Sequence, residues 1–338
     1  MPASTSVRLA SRPHGLPTDE TWSLVTETTP DLQPGEFLVR VRQLSLDPAM
    51  RGWLDDRPSY VPPVAIGAVM RAGAVGEVVE SQHRRIQVGT TVMGTFGVQE
   101  FAVSSGGGVE VCDPAMGSPS QYLGVLGITG LTAYFGLFKH GRPQAGDTVL
   151  VSAAAGAVGS VVGQLARISG GRVVGIAGGP EKCAYLVDTL GFDAAIDYRE
   201  GSMCKAIARE CPNGVDVYFD NVGGEILDAA LANLAMGARV VICGAISQYN
   251  ESQRAPGPAN YLSLLVQRAT MTGFLYFDDA ADFAVARQRL STWISEGRIL
   301  AHETIVPGTV ADFPLVLERL FTGDKLGKLI LDVSGTPA

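Results

Sequence analysis

Charge is sparse in this chain: Asp, Glu, Lys and Arg together make up 18% of its 338 residues, and their formal sum is -8. No cluster of Lys or Arg breaks the acidic balance, so an electrostatic grip on nucleic acid or on an anionic membrane is not expected. Paired cysteines are also lacking. Cys112, Cys183, Cys204, Cys211 and Cys243 are odd in number and irregular in spacing, with no C-x-x-C, which argues against a disulfide framework and a zinc ribbon. A reduced, cytoplasmic compartment is the expectation. No apolar run reaches the roughly 18 residues of a membrane span, and the polar stretch Met1 to Thr21 has no signal-peptide core. Internal repeats and low-complexity segments are missing too. The partner left by these exclusions is a small molecule.

What is present is apolar content, 46%, enough for a packed core, in a chain long enough for two domains. The first hundred residues alternate short apolar runs with Gly and Pro. Examples are Phe37 to Val41, Val75 to Val79, Thr91 to Gly94 and Phe101 to Val103, with turns at Pro34-Gly35 and Val88-Gly89. This reads as a mostly antiparallel β domain. From about residue 126 the rhythm becomes strand, helix, strand. Candidate strands are Thr148 to Ser152, Arg172 to Ala177, Ala194 to Asp197, Val215 to Phe219, Arg239 to Cys243 and Thr270 to Leu275; Glu181 to Leu190 and Glu225 to Leu234 read as helices. Such alternation implies an α/β, doubly wound parallel sheet of Rossmann type. Short strand-like pieces after about residue 303 are expected to return to the first domain. The resulting division is 1–125 with 304–338 for the β domain and 126–303 for the Rossmann domain. Residues 253–260 read as a loop after the fifth strand.

The segment Val149 to Ser160 runs a β-branched stretch into a small-residue turn and then into a helical pattern. In the fingerprint G-x-G-x-x-G it places Ala154, Gly156 and Gly159. The two surviving glycines hold the positions for backbone approach to a pyrophosphate and for close helix-to-strand packing. An ordinary Gly-rich turn would look similar by itself; the surrounding βαβ rhythm favours the dinucleotide cradle. An NAD-binding unit would place an acid at the tip of the second strand. Here the tip reads Ile176-Ala177-Gly178-Gly179-Pro180-Glu181-Lys182, with no acid at the tip and a Lys able to pair with a 2′-phosphate. NADPH is therefore expected over NADH. Tyr198 and Asn221, just after the third and fourth strands, are further cofactor-contact candidates.

At these residues the sequence resembles the zinc-independent medium-chain dehydrogenase/reductase family, in its NADP-dependent alkenal, prostaglandin and curcumin reductase-like branch. The motifs that carry the resemblance span nearly the whole chain. They are Leu44 to Arg51, Gly130 to Leu137, Ser152 to Gly159, Glu181 to Cys183, Phe219 to Gly224 and Cys243 to Asn250. The resemblance implies a split GroES-like domain, a Rossmann domain and a homodimer. It assigns Gly156, Ala157, Val158 and Gly159 to the pyrophosphate and Lys182 and Tyr198 to the adenosine phosphate. Asn221, Cys243, Gly244, Ala245, Ile246, Ser247 and Tyr249 would follow the nicotinamide side, with Phe274 and Leu275 close behind. Zinc-dependent relatives use Cys and His ligands, whereas the first domain here offers Cys112, His14 and His83 without usable spacing, so no metal is expected.

Without a metal to polarise an isolated carbonyl, hydride addition to the β-carbon of an α,β-unsaturated carbonyl is the easier reaction, since one hydroxyl can stabilise the enolate. Tyr249 is the candidate for that hydroxyl, placed by the resemblance beside the nicotinamide ribose, whose 2′-OH would be its partner in stabilising the enolate; the alternative is a loop tyrosine that merely covers the cofactor. Tyr60, stiffened by Pro62-Pro63, and its neighbour Trp53 are expected to line the substrate pocket, against the alternative of surface packing. Tyr261 heads an apolar run that reads as core or interface. Three positions depart from the family: Ala49 and Val98 where many relatives have Tyr and Trp, and Lys325 where Asn is usual. A quinone or ketone reductase of the same fold, or a non-catalytic NADPH-binding sensor or structural protein, are the rival functions.

Overall fold

The computed structural model describes residues 2–251, 256–323 and 325–335. It divides into two compact units, Met1–Leu123 with Glu303–Ala338 and Gly124–His302.

In the first unit the strands are β1 (Ala3–Leu9), β2 (Trp22–Thr28), β3 (Phe37–Ser45), β4 (Ala74–Ser81), β5 (Thr91–Gly94), β6 (Phe101–Ser104) and β7 (Glu110–Val111). The turns that separate them use the punctuation of the sequence: Gly35 and Gly89 take φ of +90° and +84°, a region open to glycine at little cost. β3 is the hub, antiparallel to β4 and β6. Its apolar residues Phe37, Val39, Val41 and Leu44 enter one core with Met50, Leu54 and Val92.

The second unit holds β8 (Thr148–Val151), β9 (Arg172–Ala177), β10 (Ala194–Asp197), β11 (Val215–Asp220), β12 (Leu234–Ile242) and β13 (Thr270–Gly273). Their order is β10-β9-β8-β11-β12-β13, and every pairing is parallel. All four residues of β8 and all but the first of β9 are buried, as expected of central parallel strands covered on both faces. The chain starts at β8, adds β9 and β10 on one side, then returns to add β11, β12 and β13 on the other. The switch point between β8 and β11 is where such sheets bind ligands.

β14 (Glu303–Pro307) and β15 (Lys328–Asp332) return to the first unit, β15 pairing antiparallel with β3. This return is fastened by a buried cation. Lys328 donates from Nζ to Asp47 Oδ1 at 2.5 Å and to the Leu46 carbonyl at 2.9 Å.

Three stretches expected as helix or apolar run differ from the expectation. Glu181 to Leu190 is an α-helical turn, Pro180–Ala184, that widens into a π-type stretch, Tyr185–Thr189. The helix expected to reach Leu234 is Gly224–Leu231, because Leu234 pairs with Val215 at the start of β12. The run after Tyr261 forms only a short helix, Ser263–Val266. Tyr261 and Leu265 are 56% and 76% exposed, so the core alternative for this run does not hold. Of the loop read at 253–260, residues 253–255 lie outside the described residues, as does Ser252 before it.

Candidate functional site

The turn after β8 is shaped by steric fit. Ala153 adopts φ +47°, and Gly156 leads into the helix Ala157–Ile168 with no side-chain cap. The first backbone N–H groups of this helix are therefore left for a ligand, the arrangement that receives phosphate at helix N-termini. A Cβ on Gly159 would stand 2.5 Å from the Ala153 carbonyl oxygen, so only glycine lets the helix pack this close to the turn. Ala154 occupies the first fingerprint position because the neighbouring strand makes room: a Cβ on Gly175 would lie 2.9 Å from the Ala154 Cβ. The glycine absent from the turn is replaced by one in β9.

At the tip of β9, Tyr198 packs its ring edge against Gly178, where a Cβ would come within 2.7 Å. Asp197 is held below the usual carboxylate range, first by the Gly179 N–H and then by that of Arg199. Lys182 lies in the first turn after Gly179. Arg199, which the sequence reading passed over, lies against the same tip: its guanidinium is 5.8 Å from the Tyr198 ring centroid and its Nη1 would be 3.4 Å from a Cβ on Gly179. The Arg199 cation and an aromatic face thus meet where β9 and β10 end, with Lys182 on the helical turn that follows β9. A cation directly after Tyr198 was the available signal.

At the switch point a buried polar network joins three loops. Asp220, 0% exposed, accepts from Ser152 Oγ at 2.9 Å, from Tyr218 Oη at 2.8 Å, and from the N–H groups of Val222 and Gly223 at 3.0 Å. Ser152 Oγ in turn accepts the Asn221 N–H, and Asn221 Nδ2 donates to the Ser152 carbonyl, both at 2.8 Å. The Asp220 carbonyl accepts from Cys243 N–H at 2.8 Å and Gly244 N–H at 3.1 Å. Ile246 and Ser247 donate their N–H groups to the Asn221 and Val222 carbonyls. Burial, with the Asp220 charge second, pushes the Cys243 thiol up to about 12. The same two causes, in the same order, raise Tyr218 well above its ordinary value.

Tyr249 follows the short turn Ile246–Gln248, and its ring folds back over the loop. Its Oη accepts the Ala245 N–H at 3.2 Å and would lie 2.9 Å from a Cβ on Gly244. The fold thus brings Asn221, Cys243, Gly244, Ala245, Ile246, Ser247 and Tyr249 together at one sheet edge. Phe274 is engaged elsewhere: its ring stacks on His140 at 5.2 Å and meets Phe219 edge-on at 6.2 Å.

In the first unit, Tyr60 sits on a loop closed at its base by the Val64 N–H donating to the Trp53 carbonyl at 2.8 Å. Arg71 braces that loop, with its guanidinium 5.3 Å from the Trp53 ring centroid and an Nη2 bond to the Pro62 carbonyl. Tyr60 is 51% exposed. The Trp53 Nε1 is buried without a hydrogen-bond partner among the described residues. Arg51, within the first motif, is a scaffold residue bonded to Gly15, Pro13 and Asp55. Among the described residues no group of three or more His, Cys, Asp or Glu could hold a metal ion.

Two family models match the chain, one described as the N-terminal domain of oxidoreductase over residues 5–112 and one as zinc-binding dehydrogenase over residues 157–292. The NADPH-dependent curcumin reductase of Escherichia coli (strain K12) is 40% identical over 332 residues, 97% of this chain and 96% of that protein. Prostaglandin reductase 1 of Rattus norvegicus is 39% identical over 325 residues, 94% of this chain and 95% of that one. Among solved structures, CurA from Vibrio vulnificus in complex with NADPH superposes with a TM-score of 0.93 at 41% identity, covering 98% of this chain and 100% of that one.

Proposed function

This chain belongs to the zinc-independent medium-chain dehydrogenase/reductase family, in its curcumin and prostaglandin reductase-like branch, and we propose that it reduces the conjugated double bond of α,β-unsaturated carbonyl compounds. It is an NADP-dependent oxidoreductase. The residues present fit that cofactor: an uncapped helix N-terminus beyond a turn only Gly159 permits, and cations where β9 and β10 end.

Gly156, Ala157, Val158 and Gly159 would hold the pyrophosphate through backbone N–H groups. Lys182, Tyr198 and Arg199 would hold the 2′-phosphate, and Asn221 with the Cys243 to Ser247 loop would hold the nicotinamide end. When bound, NADPH supplies the hydride.

Tyr249 does the work of the protein at the substrate oxygen. Its Oη accepts the Ala245 N–H, and accepting a bond strengthens the hydroxyl as a donor through its own proton. That proton stabilises the enolate left when hydride reaches the β-carbon, and the α-carbon is then protonated from Tyr249 or water. Tyr60 and Trp53 are the proposed substrate contacts of the first unit. We also propose a homodimer and a cytoplasmic, reducing setting, in keeping with five free thiols.

The observation that carries this reading is the convergence of Asn221, Cys243 and Tyr249 on the joined loops after β11 and β12. NADPH oxidation measured against 2-alkenals, enones, quinones and saturated ketones tests it. Turnover of alkenals and enones, with saturated ketones inert, is expected. Turnover confined to quinones or saturated ketones, or NADPH binding without turnover, would overturn it.

A further inference from the structure

We propose that Asp220 is an electrostatic positioning residue of the cofactor site, which favours the oxidised, cationic nicotinamide ring over the neutral reduced one. The inference rests on the reading above, in which Asn221 and Cys243 flank the nicotinamide.

Three observations carry it. First, position: Asp220 ends β11 and Ser152 directly follows β8, and their 2.9 Å bond spans the switch point of the sheet, where a dinucleotide crosses in this architecture. Second, uncompensated charge: the side chain is wholly buried, and its donors are two hydroxyls and two backbone N–H groups, all neutral. A carboxylate held by neutral dipoles alone keeps its field. Third, reach: that field already disfavours an anion at Cys243, a residue proposed beside the ring, and a field that disfavours an anion favours a cation. Loss of hydride turns a neutral dihydropyridine into a pyridinium cation, so the same field assists the donor side of the reaction.

The role differs from simple scaffolding in what it does to the two cofactor forms. Scaffolding acts on NADPH and NADP+ alike, whereas a charge acts on their ratio. For unit charges about 12 Å apart at an effective dielectric near 20, about a tenfold effect on an equilibrium is the expected scale, and a shorter separation makes it larger.

Dissociation constants of NADPH and NADP+, measured by titration calorimetry for the wild-type chain, Asp220→Asn, Asp220→Ser and Ser152→Ala, test the proposal. The ratio Kd(NADP+)/Kd(NADPH) is expected to rise about tenfold in either Asp220 variant. It should stay within about twofold in Ser152→Ala, which removes a neutral donor and leaves the charge. Because a ratio is read on folded molecules only, partial unfolding cancels, and the serine variant serves if the asparagine variant does not fold. A ratio unmoved in the Asp220 variants, or moved equally by Ser152→Ala, overturns the role of Asp220 and leaves the reductase reading standing. A wild-type chain that binds neither nucleotide overturns both.

Discussion

Tyr249 and Lys182 put the functional reading at stake one side chain at a time. Tyr249→Phe keeps the ring over Gly244 and removes only the hydroxyl. We expect kcat with an enone to fall tenfold or more, about 1.4 kcal/mol per tenfold, with little change in the affinity for NADPH. Unchanged turnover in steady-state assays would remove Tyr249 from the mechanism. Lys182→Ala, which deletes the cation on the helical turn after β9, should weaken NADPH about tenfold and leave NADH unchanged, the scale of a charge-assisted bond. Equal losses for both nucleotides would place the lysine away from the 2′-phosphate. Lys182 is nominated by the lack of an acid at the tip of the second strand, and Tyr198 by its place just after the third. Asp220 stood in a quoted motif, yet its partner Ser152 is 68 residues earlier, and only the parallel pairing of β8 with β11 joins them.

Among the elements, the central strands were the most legible, because burial on both faces leaves an unbroken apolar run such as Val173 to Ala177. The strands β1 and β2 escaped notice: Ser, Thr, Arg and Glu alternate through them, and their pairing joins residues more than a dozen apart. Helix ends were blurred wherever a terminal residue was recruited by a strand, as Leu234 is by β11. β13 is the edge of its sheet, with Thr270, Met271 and Gly273 exposed, beside the exposed apolar run at Tyr261 to Val266. An uncovered edge of this kind invites pairing. A charged residue on it blocks that pairing, so Met271→Lys is expected to convert a dimer into the 35.5 kDa monomer in sedimentation. A wild-type monomer would contradict the proposed assembly.

For the whole molecule, the discontinuous first unit explains why the chain must finish before that unit can. Its last strand is locked to the motif after β3 by Lys328 and Asp47, both largely withdrawn from water, a pair that costs stability when broken on one side. The fold class was readable from rhythm alone. The reaction itself leaves a mark independent of substrate identity: where the hydride lands. Incubation with NADPH deuterated at the transferring nicotinamide position and an α,β-unsaturated ketone, followed by NMR of the product, reads it directly. The account predicts deuterium on the β-carbon of a saturated ketone with its carbonyl intact; deuterium on the carbonyl carbon of an allylic alcohol would contradict it.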